Sequence, residues 1–317
     1  MTASRPASPA LRPSCAWNPL LAVLALAFAP AAASAQEPGD APAPALTAQQ
    51  ILDASPDADW RRPDPANTLY MELEEGRVVI ELAPQFAPEH VDNIRTLARE
   101  GFWDGLSIYR AQDNFVVQFG DPAAEGETRK PLGSAREALP AEFERPGAGL
   151  DFTPLADRDG WADRAGFVDG FPVGRAADGT TWLAHCYGML GAGRGMAPDS
   201  SNGSELYVVI GQAPRQLDRN ITTVGRVIDG IELLSATPRG PEPMGFYDDP
   251  ARRVPITAIR LASEVPEAER SELELLRTDS ATFAAVTEAR RNRRDDWYHV
   301  PAGHIDLCNV PLPARTR

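Results

Sequence analysis

Between Ile108 and Asp121 the chain reads Ile-Tyr-Arg-Ala-Gln-Asp-Asn-Phe-Val-Val-Gln-Phe-Gly-Asp. Arg110 closes one short apolar run, Gln118 sits in the next, and Gln112, Asp113 and Asn114 form a polar turn between them. Alternation with period two puts Val116 and Gln118 on one face of the second strand and Val117 and Phe119 on the other. A guanidinium carries five N–H donors in a rigid fork, and a carboxamide both donates and accepts. Side by side on neighbouring strands, they would set hydrogen-bonding groups over an adjoining surface. The same residues also fit a solvated Arg at a sheet edge and a surface Gln.

Other chemistries lack their residues. No pair of carboxylates stands out as a hydrolytic unit, and no G-x-S-x-G elbow occurs. Gly191-Ala192-Gly193-Arg194-Gly195 lacks the Lys-Ser/Thr pair of a phosphate loop and reads as a flexible loop. Four scattered histidines, and two cysteines beyond residue 35, offer no CxxC or HxxxH spacing, so no metal and no cofactor is expected. A net charge of −14 disfavours nucleic acid, which is bound through clustered Lys and Arg. Arg290, Arg291, Arg293 and Arg294 form a local basic cluster that reads as a solvated helix face. Trp297 and Tyr298 beside it give a docking role as the alternative.

The elements that would carry the Arg–Gln pair are short. Thr68–Leu73 and Arg77–Leu82 flank Glu74-Glu75-Gly76 as a hairpin. Pro84–Glu100 reads as a helix, with Pro88 in its first turn and Val91, Ile94, Leu97 and Ala98 as its apolar stripe. Leu106–Arg110 and Phe115–Gly120 are the two strands of the pair. The stretch 121–184, rich in Gly, Pro, Asp and Arg, reads as a long irregular insertion. Strands return at Leu206–Ile210, Thr222–Ile228 and Pro255–Leu261, with a short helix at Gly230–Ala236. Glu267–Arg294 reads as a charged helical region, and Thr47 as the cap of a short helix through Ala54. Many short strands, few helices and no βαβ alternation argue for a β-barrel or sandwich with accessory helices.

The segment around Arg110 resembles the cyclophilin active-site motif F-H-R-x-x-x-x-F-x-x-Q-x-G-D, matching at Arg110, Phe115, Gln118, Gly120 and Asp121 without a gap. Upstream, Ala87–Leu97 is similar to the family's A-P-x-x-x-x-N-F-x-x-L helix. Downstream, Asn202-Gly203-Ser204-Glu205-Leu206-Tyr207 resembles N-G-S-Q-F-F, Leu217-Asp218 the L-D of W-L-D, and Val224–Val227 F-G-x-V. The ordered blocks run from about residue 68 to 262. The resemblance implies a closed eight-stranded β-barrel capped by two helices, here with a long loop insertion at 121–185 and a helical C-terminal extension over 263–317. It also implies a peptidyl-prolyl cis-trans isomerase acting on proline-containing unfolded or flexible polypeptides. Arg110 would then be the catalytic donor; Phe115, Val116, Tyr207 and Leu217 would line the proline pocket, and Gln118 would hold the substrate backbone. Strict alternation would point Phe115 away from Gln118, but a preceding turn can redirect the first residue of a strand.

Four departures mark the surroundings: Gln216 replaces a Trp, Ile221 a common His, Glu205 a Gln, and Leu190-Gly191-Ala192 the usual A-N-A. They imply an altered substrate preference and weak binding of cyclosporin-type ligands. A non-catalytic peptide-binding or chaperone module of the cell envelope using the same groove is the alternative function, and an assembly scaffold a third.

Residues 1–35 read as a secretory signal: Arg5 and Arg12 precede the apolar run Leu20–Phe28, and Ala33-Ser34-Ala35 is an A-x-A cleavage site. The expected product is periplasmic, with no membrane span left after cleavage, and its charge falls from −14 to −16 as two arginines leave with no acid. Residues 36–67 read as a linker and short helix. In an oxidising compartment Cys186 and Cys308 can pair or remain two thiols, and the spacing does not decide.

Overall fold

A computed structural model describes residues 46–124, 126–294 and 297–317. The signal segment and the tether over 36–45 lie outside these residues. The main element is an antiparallel sheet of nine strands. In chain order these are β1 (Thr68–Leu73), β2 (Gly76–Leu82), β3 (Ser107–Ala111), β4 (Val116–Gly120), β5 (Met189–Ala192), β6 (Leu206–Val209), β7 (Thr223–Asp229), β8 (Val254–Pro255) and β9 (Ala258–Leu261). Their spatial order is β8-β3-β4-β6-β5-β7-β2-β1-β9. The two edge strands are successive pieces of one segment. Between them Ile256 N donates to Leu106 O at 2.9 Å, while Thr257 N donates to Glu72 O at 2.9 Å, so neighbouring residues bond to opposite ends of the sheet.

The inner face of this sheet is a core that includes Leu69, Met71, Ile80, Ile108, Val117, Phe119, Leu206 and Val208. Helix Pro88–Arg99 covers one side of it with Val91, Ile94, Leu97 and Ala98, the stripe expected from the 3.6-residue period. This helix has no side-chain cap on its own N-terminus. Instead the Glu142 carboxylate accepts from the backbone N–H groups of Glu89 and His90 at 3.0 Å each, satisfying donors that the first turn leaves free. The short helix Ile231–Ser235 buries Leu234 in the same core.

Three sequence readings need correction. The 121–185 stretch is not an irregular loop: it contains five strands, Arg145–Pro146, Phe152–Pro154, Arg164–Val168, Phe171–Arg175 and Thr180–Leu183, all in one antiparallel sheet. Gly191 and Ala192, read as the start of a flexible glycine-rich loop, belong to Met189–Ala192, a fully buried strand inside the main sheet. The region Glu267–Arg294 is helical only at Ala281–Arg291 and in a single 3-10 turn at Glu267–Glu269. Leu273–Leu276 is the middle strand of a third sheet, between Trp60–Arg61 and Ala314–Thr316.

These additions share a second core. Phe167, Phe171 and Val173 of the insertion pack with Trp60, Leu276, Phe283, Leu307 and Val310. Cys186 and Cys308 are joined by a disulfide with a Cα separation of 4.9 Å, inside the range such a bond requires. Thr47 caps the helix Ala48–Asp53 in a reciprocal capping box with Gln50. No helix among the described residues is long and apolar enough to cross a membrane.

Candidate active site

On the outer face of the main sheet, β3 and β4 set Arg110 directly opposite Gln118. The register between them shifts by one residue at Tyr109, a bulge that re-aims the side chains around it. Arg110 Nη1 donates to Gln118 Oε1 at 3.0 Å, Nε donates to Met244 O at 2.7 Å, and Nη2 donates to Gln112 Oε1. Three of the five guanidinium N–H groups are thereby held in place and two remain for an incoming acceptor. Burial draws the Arg110 pKa down, but a guanidinium stays charged across the working range.

Beside this pair lies an apolar cluster on the same face: Val116, Tyr207 and Val209, with Phe115 and Ile221 half-buried against them. Phe115 precedes β4, after a turn in which Asn114 adopts a φ of 50°, and so escapes the alternation of the strand. The Arg110 guanidinium lies 5.8 Å from the centre of the Phe115 ring. Arg110, Phe115, Val116, Gln118 and Tyr207 thus come together. Leu217 is half-buried in the turn Arg215–Leu217 and is not part of that cluster.

Beneath the cluster runs a buried polar chain. Tyr207 Oη is 2.9 Å from His185 Nε2, and His185 Nδ1 is 3.0 Å from Asp218 Oδ1. Arg215 Nε donates to Asp218 Oδ2 at 2.6 Å and its two terminal nitrogens to both oxygens of Asp159. Burial works against the Asp218 carboxylate, but the bonds from His185 and the charge of Arg215 outweigh it and hold its pKa below the usual value. Burial pushes the Tyr207 phenol up, with the Asp218 charge adding to it.

Several residues at the site carry no signal in the motif reading. Phe246 stacks on Tyr109 with ring centres 6.0 Å apart and lies 4.9 Å from the Arg110 guanidinium. It belongs to a Gly/Pro-rich segment where nothing in the spacing marks it; Met244 O of the same segment accepts from Arg110, and Gln112, which accepts from Arg110 directly, donates to Pro243 O. Phe246 also borders a cavity of about 370 Å³ next to Gln118, lined further by Tyr109, Asp121, Lys130 and Glu205. Glu205 was visible as a departure from the motif. Burial pushes its carboxyl up to about 7, and the nearby Asp121 charge adds to the rise.

Residues 68–261 match the family described as cyclophilin type peptidyl-prolyl cis-trans isomerase/CLD. A probable peptidyl-prolyl cis-trans isomerase of Brucella suis is 28% identical over 187 residues, 56% of this chain and 75% of that one. The human peptidyl-prolyl cis-trans isomerase-like 1 is 25% identical over 216 residues, 67% of this chain and 98% of its own length. The crystal structure of the cyclophilin AquaCyp293 from Hirschia baltica aligns with a TM-score of 0.64 at 26% identity, covering 85% of this chain and 97% of that one.

Proposed function

The chain belongs to the cyclophilin-type peptidyl-prolyl cis-trans isomerases, and from that premise we propose that Arg110 is the donor that accelerates rotation about X-Pro bonds. Resonance stiffens the amide, and turning it crosses a barrier of about 18–20 kcal/mol. No covalent step is required. As the bond twists, the prolyl nitrogen becomes pyramidal and gains lone-pair character. A donor aimed at that nitrogen stabilises the twisted state more than either planar one, which is the condition for catalysis.

The observation that carries this reading is the placement of Arg110: anchored by Gln118, Gln112 and Met244 O, it keeps two N–H groups for an acceptor beside an apolar cluster. Phe115, Val116 and Tyr207 would receive the ring. Gln118 would hold the peptide backbone, and Leu217 would border the groove from its turn. In a coupled X-Pro isomerisation assay, Arg110→Ala should lower kcat/KM by about 10²–10³, the usual cost of removing one aimed donor. Undiminished turnover would overturn the assignment.

Two finer readings accompany it. The bonds of Ile256 and Thr257 to opposite ends of the sheet support taking β8 and β9 as halves of one strand that closes a barrel of eight. The signal pattern in residues 1–35, together with the Cys186–Cys308 disulfide, supports a periplasmic enzyme whose substrates are exported polypeptides. Cell fractionation should recover a chain beginning at Gln36 in the periplasmic extract; a full-length chain confined to the cytosol would sink this reading.

A further inference from the structure

Glu205 reaches Arg110 through an unbroken line of hydrogen bonds. Tyr109 Oη donates to Glu205 Oε2 at 2.6 Å, Gln118 Nε2 donates to Tyr109 Oη at 2.6 Å, and Gln118 Oε1 accepts from Arg110 Nη1 at 3.0 Å. The other Glu205 oxygen accepts from the backbone N–H of Asp121 at 2.7 Å. The carboxylate fits where it does because residue 120 is glycine: a β-carbon there would stand 2.4 Å from both Glu205 oxygens. Tyr109 and Glu205 occupy the positions of the motif's His and Gln, so two departures from the family pattern bond to each other.

We propose that Tyr109 and Glu205 are positioning residues of the isomerase, holding the Gln118 carboxamide with its oxygen toward Arg110 only while Glu205 is ionised. The inference rests on Arg110 being the catalytic donor. An ionised carboxylate can only accept, so it turns the Tyr109 O–H toward itself. The phenol oxygen then has lone pairs for the Gln118 NH2, and the amide oxygen is left facing the guanidinium. A proton on Oε2 reverses each polarity. The carboxyl donates to the phenol, the phenol O–H seeks an acceptor in Gln118, and the amide must present its NH2 to a guanidinium that can only donate.

The groups facing Glu205 are few. Tyr109 comes from β3 and Asp121 from the end of β4; Arg129, Lys130 and Arg194 line the same cavity from the loops after β4 and β5. The three cations have partners of their own. Arg129 pairs with Glu137, Lys130 Nζ donates to Asp104 O, and Arg194 donates to the carbonyls of Asn220, Gly195 and Met196. Asp121 opposes ionisation of Glu205, and burial opposes it more, which places the transition near neutral pH.

The test is the pH dependence of kcat/KM on an X-Pro peptide without titrating side chains, between about pH 5.5 and pH 8.5, for the wild type, Glu205→Gln, Tyr109→Phe and Arg110→Ala. The wild type should lose activity toward acid with a midpoint near 7, reaching about a fivefold loss at the lower limit. Glu205→Gln and Tyr109→Phe should each abolish that midpoint, a result that general destabilisation does not give. A flat wild-type profile, or a Glu205→Gln enzyme keeping the same midpoint, overturns the proposal. Should Arg110→Ala keep full activity, the failure lies instead in the assignment of the donor.

Discussion

A β-carbon on residue 191 would stand 2.1 Å from Cζ of Tyr207 and 2.2 Å from its hydroxyl. Gly191 is therefore the space into which the Tyr207 ring fits, and the ring in turn reaches His185. In sequence a glycine stands where A-N-A has its Asn and a Tyr where N-G-S-Q-F-F has its last Phe, with nothing to link the two. Facing residues on β5 and β6 turn them into one substitution made in two places. Gly191→Ala should displace the ring and cost about 1–3 kcal/mol of stability, as overpacking does. Urea unfolding measures that cost, and the same variant should raise KM for proline peptides, because Tyr207 belongs to the apolar cluster. Unchanged stability would show that the ring has room to move. Arg110 and Gln118 were legible because their spacing is local. Phe246 was not, since it meets Arg110 across more than a hundred residues of chain, by a backbone bridge and by its ring against the guanidinium.

Among the elements, the insertion is where sequence reading fell shortest. Its strands are two to five residues long, too short for a period of two to stand out against abundant Gly, Pro and Asp. One signal was nevertheless present. Asp169-Gly170 sits between Ala-Gly-Phe-Val and Phe-Pro-Val-Gly, and both turn residues have positive φ, 49° and 84°, as a tight two-residue hairpin requires. An Asp-Gly pair between apolar runs would have found the central hairpin. What no local pattern could show is its attachment to the site. Asp159, from the insertion, grips Arg215 with both oxygens, and Arg215 and Asp218 fix the turn that carries Leu217. With Arg215 and Asp159 both almost fully buried, that turn is held by a paired charge rather than by apolar contact. The insertion is thus part of what fixes that turn. The main sheet, by contrast, was largely readable, because its hairpin, its capping helix and its motif strands each carry a local signature.

For the whole molecule, the barrel-like sheet is only half of the construction. The second core combines Trp60 from the N-terminal side, the insertion, helix Ala281–Arg291 and the closing residues Leu307 and Val310. Pairings such as Trp60 with Leu276 span most of the chain, which is why a strand was read as part of a charged helix. The disulfide ties the same assembly across a separation of 122 residues. Cys308→Ser should therefore lower the unfolding free energy by about 2–5 kcal/mol. A reductant should bring the wild type down to the level of the variant while leaving the variant where it is; equal urea midpoints for all three would mean the bond contributes nothing. The C-terminal residues also set an order of events. A chain emerging from the ribosome holds Phe167 and Phe171 long before Leu307 and Val310 exist to cover them. Until Leu307 and Val310 are made, this folding catalyst itself exposes the kind of apolar surface that the folding machinery of a cell exists to shield.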